Sequence, residues 1–423
     1  MRPTSLIVRP AVLCCLALCL SGCSSRHILL KTETAVSSCS ALVSRLTIIT
    51  SGDDPIAREA ALDTLWSDLR TRGRLPFVAG DSVVFLYRGD AATATFTGDF
   101  DGWNPEPPRA RRLGRSSVWL QEEVFPLDAR LDYKIVLNGR TWLLDPENPH
   151  IQRGGFGDNS ELRMPAYVPS PYVVRSPGIP RGTLAPGSLA GANLGYTVDY
   201  VTYTPAGYDD LDDLPVIYVT DGHEYADDRM GGMVIVLDNL IARRLIRPLM
   251  AVFIDPRVDG RNLRAEQYIL NENFARFVAE ELVPVIDARY RTSSHRLDRG
   301  ILGTSLGGLN SAWFALRAAD TFGRIGMQSP ALQAGDGRIF DMYREARPPD
   351  VDFFMTWGTM HDGGEDTRRF QALLDARGCH YRCLVVNEGH SWGAWRAQLD
   401  DILRAFWPQD RTGVSGPGPS SGP

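Results

Sequence analysis

Arg299-Gly300-Ile301-Leu302-Gly303-Thr304-Ser305-Leu306-Gly307-Gly308-Leu309-Asn310-Ser311-Ala312-Trp313-Phe314-Ala315-Leu316-Arg317-Ala318-Ala319 is the stretch that decides the fold. A short apolar run, Arg299–Leu302, enters a G-x-S-x-G turn, and an apolar helical stretch over Leu309–Ala319 leaves it. That pattern lifts a serine out on a tight strand-to-helix turn, with glycines where any Cβ would clash with the neighbouring strand or helix. The helix N-terminus behind Ser305 favours negative charge developing there.

Two further copies of the motif occur, Gly389-His390-Ser391-Trp392-Gly393 and Gly418-Pro419-Ser420-Ser421-Gly422. The last lies in a polar tail with no strand or helix signal around it. The middle copy has strand and helix context but fails on order. Triads of this kind run serine, acid, histidine, and no histidine follows His390. Ser305 is therefore the candidate nucleophile.

A hydroxyl needs a base to take its proton. Of the seven histidines, only His361, His380 and His390 follow Ser305. His380 precedes the last strand-like run, whereas His390 follows it directly, at the sheet edge where open α/β sheets gather their sites. His390 is the candidate base. The acid that fixes its tautomer belongs on the loop after the preceding strand, Gly358–Asp366. Asp362 lies nearest the strand end there. Glu365 and Asp366 remain open as alternatives that instead suit a helix start. Oxyanion stabilisation needs backbone N–H groups. Leu306 should supply one, and Gly222 or His223, after the apolar run Pro215–Thr220, the other.

Around this core, apolar runs such as Met250–Ile254, Phe353–Trp357 and Cys383–Val386 alternate with helical stretches, Asn273–Tyr290 being the clearest. Such alternation predicts, over residues 194–410, an α/β domain with a mostly parallel sheet covered by helices on both faces. Upstream, Ser82–Tyr87, Ala94–Phe96, Ser117–Leu120, Asp132–Leu137 and Thr141–Leu144 are short strand-like runs. Gly, Asp, Asn and Pro separate them as in a small β-sandwich, placed at 76–165. Residues 166–193, rich in Pro, Gly and Ser, read as a linker. Residues 23–75 read as helical, with Asp53 or Asp54 and Pro55 as N-cap and first turn. The tail 411–423 reads as disordered.

The N-terminus predicts the compartment. Arg2 and Arg9 flank the start of an apolar run, Ala11–Leu20, shorter than the roughly 20 residues that span a bilayer. Residues 1–22 thus read as a signal peptide. Outside the leader only Cys39, Cys379 and Cys383 remain, which allows at most one bridge in an oxidising compartment. The net charge of −6 and the absence of a Lys/Arg cluster argue against nucleic acid as a partner. No spacing suits a zinc site, and neither metal nor organic cofactor is expected.

Several segments together carry a resemblance. Asp221-Gly222-His223, Arg261–Phe274, Glu280–Pro284, GTSLGGL at 303–309 and GHSWGAWR at 389–396 resemble the enterochelin esterase-like and esterase D families of α/β-hydrolases. The match covers about 194–407. FTGDFDGWNP and the runs after it, within 80–165, resemble the early-set, glycogen-binding-type sandwich that often precedes such domains. Leu20-Ser21-Gly22-Cys23 resembles a lipoprotein lipobox, which would make Cys23 the lipidated residue of a periplasm-facing protein, with the outer membrane as its address.

The resemblance implies hydrolysis of a carboxylic ester through an acyl-enzyme, with Ser305, Asp362 and His390 as the triad. Siderophore-type esters and acyl or feruloyl esters of carbohydrate are the candidate substrates. Where the family pairs Arg-x-x-Glu, this chain reads Arg264-Ala265-Glu266-Gln267, so Arg264 is either a substrate ligand or simply ion-paired. Trp392 and Trp395 could line the acyl pocket or pack the core. Trp103, Trp119 and Trp142 are placed in the core or at the domain interface rather than on sugar. Two other functions stay open: acyl transfer to an alcohol, and a glycan-binding lipoprotein without catalysis. Oligomeric state is not legible.

Overall fold

In the computed structural model, which describes residues 36–409, the apolar runs around Ser305 become the centre of an eight-stranded sheet. Its strands are β1 (Thr183–Gly191), β2 (Tyr196–Thr204), β3 (Val216–Val219), β4 (Met250–Ile254), β5 (Arg299–Thr304), β6 (Arg324–Gln328), β7 (Asp352–Gly358) and β8 (Tyr381–Val386). They lie in the order β1-β2-β4-β3-β5-β6-β7-β8. The pairings β4–β3, β3–β5, β5–β6, β6–β7 and β7–β8 are parallel, and β1–β2 and β2–β4 are antiparallel.

Strands β3, β4 and β5 are buried along their whole length, because successive side chains point to opposite faces and both faces are covered. Ile301 packs on one side with Leu309, Phe314, Phe274 and Ile286. Its neighbour Leu302 packs on the other with Met233, Leu237, Trp395 and Ile402. The helical stretch expected over Asn273–Tyr290 is helical but not uniform. A π-helical segment, Phe277–Leu282, joins Glu272–Arg276 to Val283–Arg289. Pro284, with no N–H to give, lies just beyond the wide turn.

The linker expected at 166–193 is a correction. Residues 183–191 are the edge strand β1, paired residue for residue with β2 from Thr183↔Thr204 to Gly191↔Tyr196. Its Pro and Gly made it look like a linker, yet both have positions in a strand. Pro186 is tolerated on an edge, where one row of N–H groups has no partner strand. Gly187 lies under the Tyr200 ring, where an added Cβ would come within 2.5 Å of Cζ. Strand β6 also went unforeseen, since RIGMQ has only two large apolar residues.

Upstream, two helices, Cys39–Thr50 and Pro55–Thr71, precede two antiparallel sheets. Asp54 caps the second helix through its carboxylate, which accepts the N–H of Ile56 at 2.9 Å, and Pro55 opens the first turn. One sheet contains Ser82–Arg88 and Val118–Val124. The other contains Ala94–Gly98, Arg130–Leu137, Thr141–Leu143 and the hairpin Ile151–Gly154/Gly157–Arg163. Phe85, Trp119, Phe96, Tyr133 and Leu162 form the core that the two sheets share. Cys39, Cys379 and Cys383 are free thiols. The leader expected at 1–22, Cys23 and the tail 411–423 with its G-x-S-x-G copy lie outside the described residues; among the described residues no helix is long and apolar enough to cross a membrane.

Candidate active site

The loops that follow β3, β5, β7 and β8 carry the candidate residues, all at the carboxyl ends of parallel strands. Ser305 joins β5 to the helix Leu306–Arg317, with φ 57° and ψ −118°. A non-glycine residue keeps such a conformation only where its surroundings impose it. Here the Ser305 N–H donates to the Gln328 carbonyl at 2.9 Å, and its own carbonyl accepts from Ala331 at 2.9 Å and Leu309 at 3.1 Å. Space makes the flanking glycines obligatory. A Cβ on Gly303 would strike Thr220 Oγ1 and the Gly307 backbone, and one on Gly307 would lie 2.6 Å from Thr220 Oγ1.

His390 follows β8, and its Nδ1 lies 2.6 Å from Asp362 Oδ1. The Asp362 side chain is 1% exposed, that of His390 40%. The second carboxylate oxygen of Asp362 accepts the Ser329 hydroxyl and the Gly358 N–H, each at 2.6 Å. Ser329 in turn accepts Trp395 Nε1–H at 2.8 Å, and the Trp395 ring stands edge-on to His390 with centroids 4.9 Å apart. The acid, the ring and the tryptophan thus form one hydrogen-bonded and packed unit. Glu365 and Asp366 instead sit in the first turn of the helix Gly364–Ala376. Sequence reasoning missed Ser329, which lies 33 residues from Asp362 in a turn with no motif.

Ser305 and His390 line one cavity of about 550 Å³ together with Arg264, Glu224, Trp392 and Trp395. The opposite wall comes from the N-terminal sheets: Trp103, Lys134, Trp142 and Phe156. Trp103 and Trp142 stack at 6.5 Å, and Phe156 is fully exposed at its hairpin tip. Of the three tryptophans in the N-terminal part, Trp119 is buried in the core, while Trp103 and Trp142 face the cavity where the two parts meet. Trp392 and Trp395 are both, being nearly buried and still contributing to the cavity lining.

Leu306 heads the helix after Ser305. Gly222 and His223 line a depression with Asp199, Tyr200 and Asp255, and His223 also borders one with Gly154, Gly155, Gly157 and Glu224, four residues that line the Ser305 cavity as well. The short helix Gly222–Tyr225 packs Gly222 on the backbone of β4 and brings Glu224 to the cavity. Burial lowers the His223 pKa. Glu224 is pushed up to about 7, first by burial and then by Asp221, with Arg264 opposing.

Arg264 is ion-paired. Its Nε lies 2.8 and 2.9 Å from the two oxygens of buried Asp221, and Nη2 donates to the Thr304 carbonyl at 3.0 Å. Burial raises the Asp221 pKa, and Arg264 works against the rise. Among the described residues no group of three or more His, Cys, Asp and Glu is arranged to hold a metal ion.

Residues 192–406 match the family model described as "Putative esterase". The uncharacterized protein YjcH of Bacillus subtilis (strain 168) is 27% identical over 235 residues, covering 53% of this chain and 97% of that protein. An endo-1,4-beta-xylanase/feruloyl esterase of Xylanibacter ruminicola is 25% identical over 307 residues, 70% of this chain but 41% of that protein's length. The enterobactin esterase FES from Shigella flexneri shares the fold, with a TM-score of 0.64 at 20% identity over 77% of this chain and 92% of that one.

Proposed function

The chain belongs to that esterase family and is a carboxylic ester hydrolase, and from this premise we propose that it works as a serine esterase through an acyl-enzyme. Ser305 is the nucleophile, His390 the general base and Asp362 its partner. The observation that carries the reading is the 2.6 Å contact between His390 Nδ1 and Asp362 Oδ1, in a histidine that lines the same cavity as Ser305. A carboxylate on Nδ1 holds the proton there and leaves the Nε2 lone pair to take the Ser305 proton. Attack on the ester carbonyl gives a tetrahedral oxyanion, to which the Leu306 N–H donates at the head of its helix. His390 then returns the proton to the departing alcohol. Water, deprotonated by the same nitrogen, releases the acid and restores Ser305.

The cavity favours an ester that carries a phenolic ring near the scissile carbonyl. Four tryptophans offer faces to such a ring, and Glu224 and Arg264 offer polar contacts. Siderophore-type lactones and feruloyl esters of carbohydrate both meet that description. We read the eight-stranded sheet as an α/β-hydrolase sheet and the two sheets before it as an early-set, glycogen-binding-type sandwich. The leader and the lipobox-like Leu20–Cys23 support an enzyme tethered through lipid on Cys23 and facing the periplasm, with the outer membrane as its address. The N–H of Gly222 or His223 is the second donor to the oxyanion.

A fluorophosphonate probe tests the chemistry. It should label the wild-type chain and leave Ser305→Ala unlabelled; equal labelling of the two would end the triad reading. p-Nitrophenyl esters, feruloyl sugars and catecholate lactones, compared by kcat/KM, rank the substrate classes.

A further inference from the structure

A buried cluster that ester chemistry does not use lies where the N-terminal sheets meet the catalytic sheet. Arg130, which opens the sandwich strand Arg130–Leu137, is 1% exposed. Its Nη1 donates to Ser391 Oγ at 3.0 Å and stands 3.7 Å from Glu388 Oε2, so one nitrogen holds the loop on both sides of His390. Nη2 donates to Asp132 at 2.5 Å and to Glu161 at 3.0 Å, which fix the guanidinium from the sandwich side. The backbone repeats the connection. The Arg130 N–H donates to the Asn387 carbonyl at 3.2 Å, and Asn387 Nδ2 donates to Asp128 at 2.8 Å. Two glycines let the segment lie this close. A Cβ on Gly389 would strike the Asp99 carboxyl, and one on Gly393 the Arg130 guanidinium.

We propose that Arg130 is a positioning residue for His390, so that the sandwich domain completes the catalytic unit by holding the loop that carries the base. The inference rests on His390 being that base. Asp362 orients the imidazole ring, but its remaining bonds go to Ser329 and Gly358 and do not touch segment 387–393 except at the ring. The loop's own anchors toward the sandwich are the Arg130 and Asp128 contacts. A shift of about 1 Å in a reacting group costs on the order of a hundredfold in rate, so such anchoring bears directly on turnover.

The test uses the full chain and p-nitrophenyl acetate, an ester too small to need the sandwich wall. Turnover is counted per site titrated by fluorophosphonate, so misfolded protein does not enter the rate. Arg130→Gln should lower kcat at least about tenfold with KM changed less than about twofold, and Arg130→Lys should recover part of the loss. Arg130→Gln strips the counter-charge from buried carboxylates and can fail to fold. Ser391→Ala, which keeps every buried charge paired, should still lower kcat severalfold with an unchanged melting temperature. Wild-type kcat per titrated site in Ser391→Ala and in any folded Arg130→Gln would overturn the proposal, as would a rise in KM alone. Activity surviving in Ser305→Ala would instead overturn the triad on which it rests.

Discussion

Asp362 Oδ1 meets His390 Nδ1 at 2.6 Å while Asp362 Oδ2 is held by the Ser329 hydroxyl and the Gly358 N–H, so one buried carboxylate both orients the imidazole and is itself immobilised. Asp362→Asn keeps the shape but turns an N–H toward Nδ1, which favours the wrong tautomer. We expect kcat to fall by about 10³–10⁴-fold with the fold intact by circular dichroism. Glu365→Gln and Asp366→Asn, in the following helix, should stay within about twofold of wild type. The reverse ranking would move the acid to that helix.

Glu224 gives the cavity its own pH dependence. Burial first, and then Asp221, push its carboxyl up to about 7, against Arg264, the Trp392 hydrogen bond and Arg257. Below that pH the group is neutral, and above it anionic. An anionic carboxylate accepts a hydrogen bond from a phenol more strongly than the acid does. KM for a feruloyl ester should therefore fall as pH rises through about 7, and Glu224→Gln should remove this step while p-nitrophenyl acetate shows none in either protein. A KM step that survives in Glu224→Gln would assign the titration to another group.

Much of the site was legible because its chemistry is local in sequence. G-x-S-x-G marks Ser305 by steric need, and Gly389-His390 marks a loop that must fold back at a strand end. What stayed hidden depends on contacts between distant segments. Ser329 reaches Asp362 from a turn after β6, a strand too poor in apolar residues to be recognised. Arg130 meets Ser391 across 261 residues of sequence. The edge strand β1 failed for a related reason: its Pro186 and Gly187 are explained by an unpaired edge and by the Tyr200 ring, and neither is visible until the neighbours are in place. That Glu224 lines the cavity was not legible either, because which side of a four-residue helix faces it is a tertiary fact.

The cavity wall built by the N-terminal sheets should act on substrate size rather than on the chemical step. Trp142 is 42% exposed and stacks on Trp103, so truncation removes an aromatic face at modest cost to the fold. Trp142→Ala should raise KM for a feruloyl oligosaccharide about 2- to 10-fold, the worth of one aromatic contact. The p-nitrophenyl acetate kinetics should not change. Equal effects on both esters would mean that the wall contributes to turnover and not to selection.

The glycines around Ser305 separate two kinds of crowding, and a double-mutant cycle can tell them apart. On Gly307 a methyl group would lie 2.6 Å from Thr220 Oγ1, with Asp221 next at 3.5 Å. Gly307→Ala should thus cost about 1–3 kcal/mol of stability and much of the activity, as overpacking does. Thr220→Ala removes the offending oxygen and sacrifices only a long 3.3 Å bond to the Leu302 carbonyl. The double variant should recover most of the loss, a clear departure from additivity. Gly303→Ala is different, because its methyl would also strike the Gly307 backbone, which no side-chain truncation can clear. Melting temperatures and esterase rates of the four-member cycle decide the matter. Rescue of Gly303→Ala by Thr220→Ala would show that the turn yields where the geometry says it is rigid.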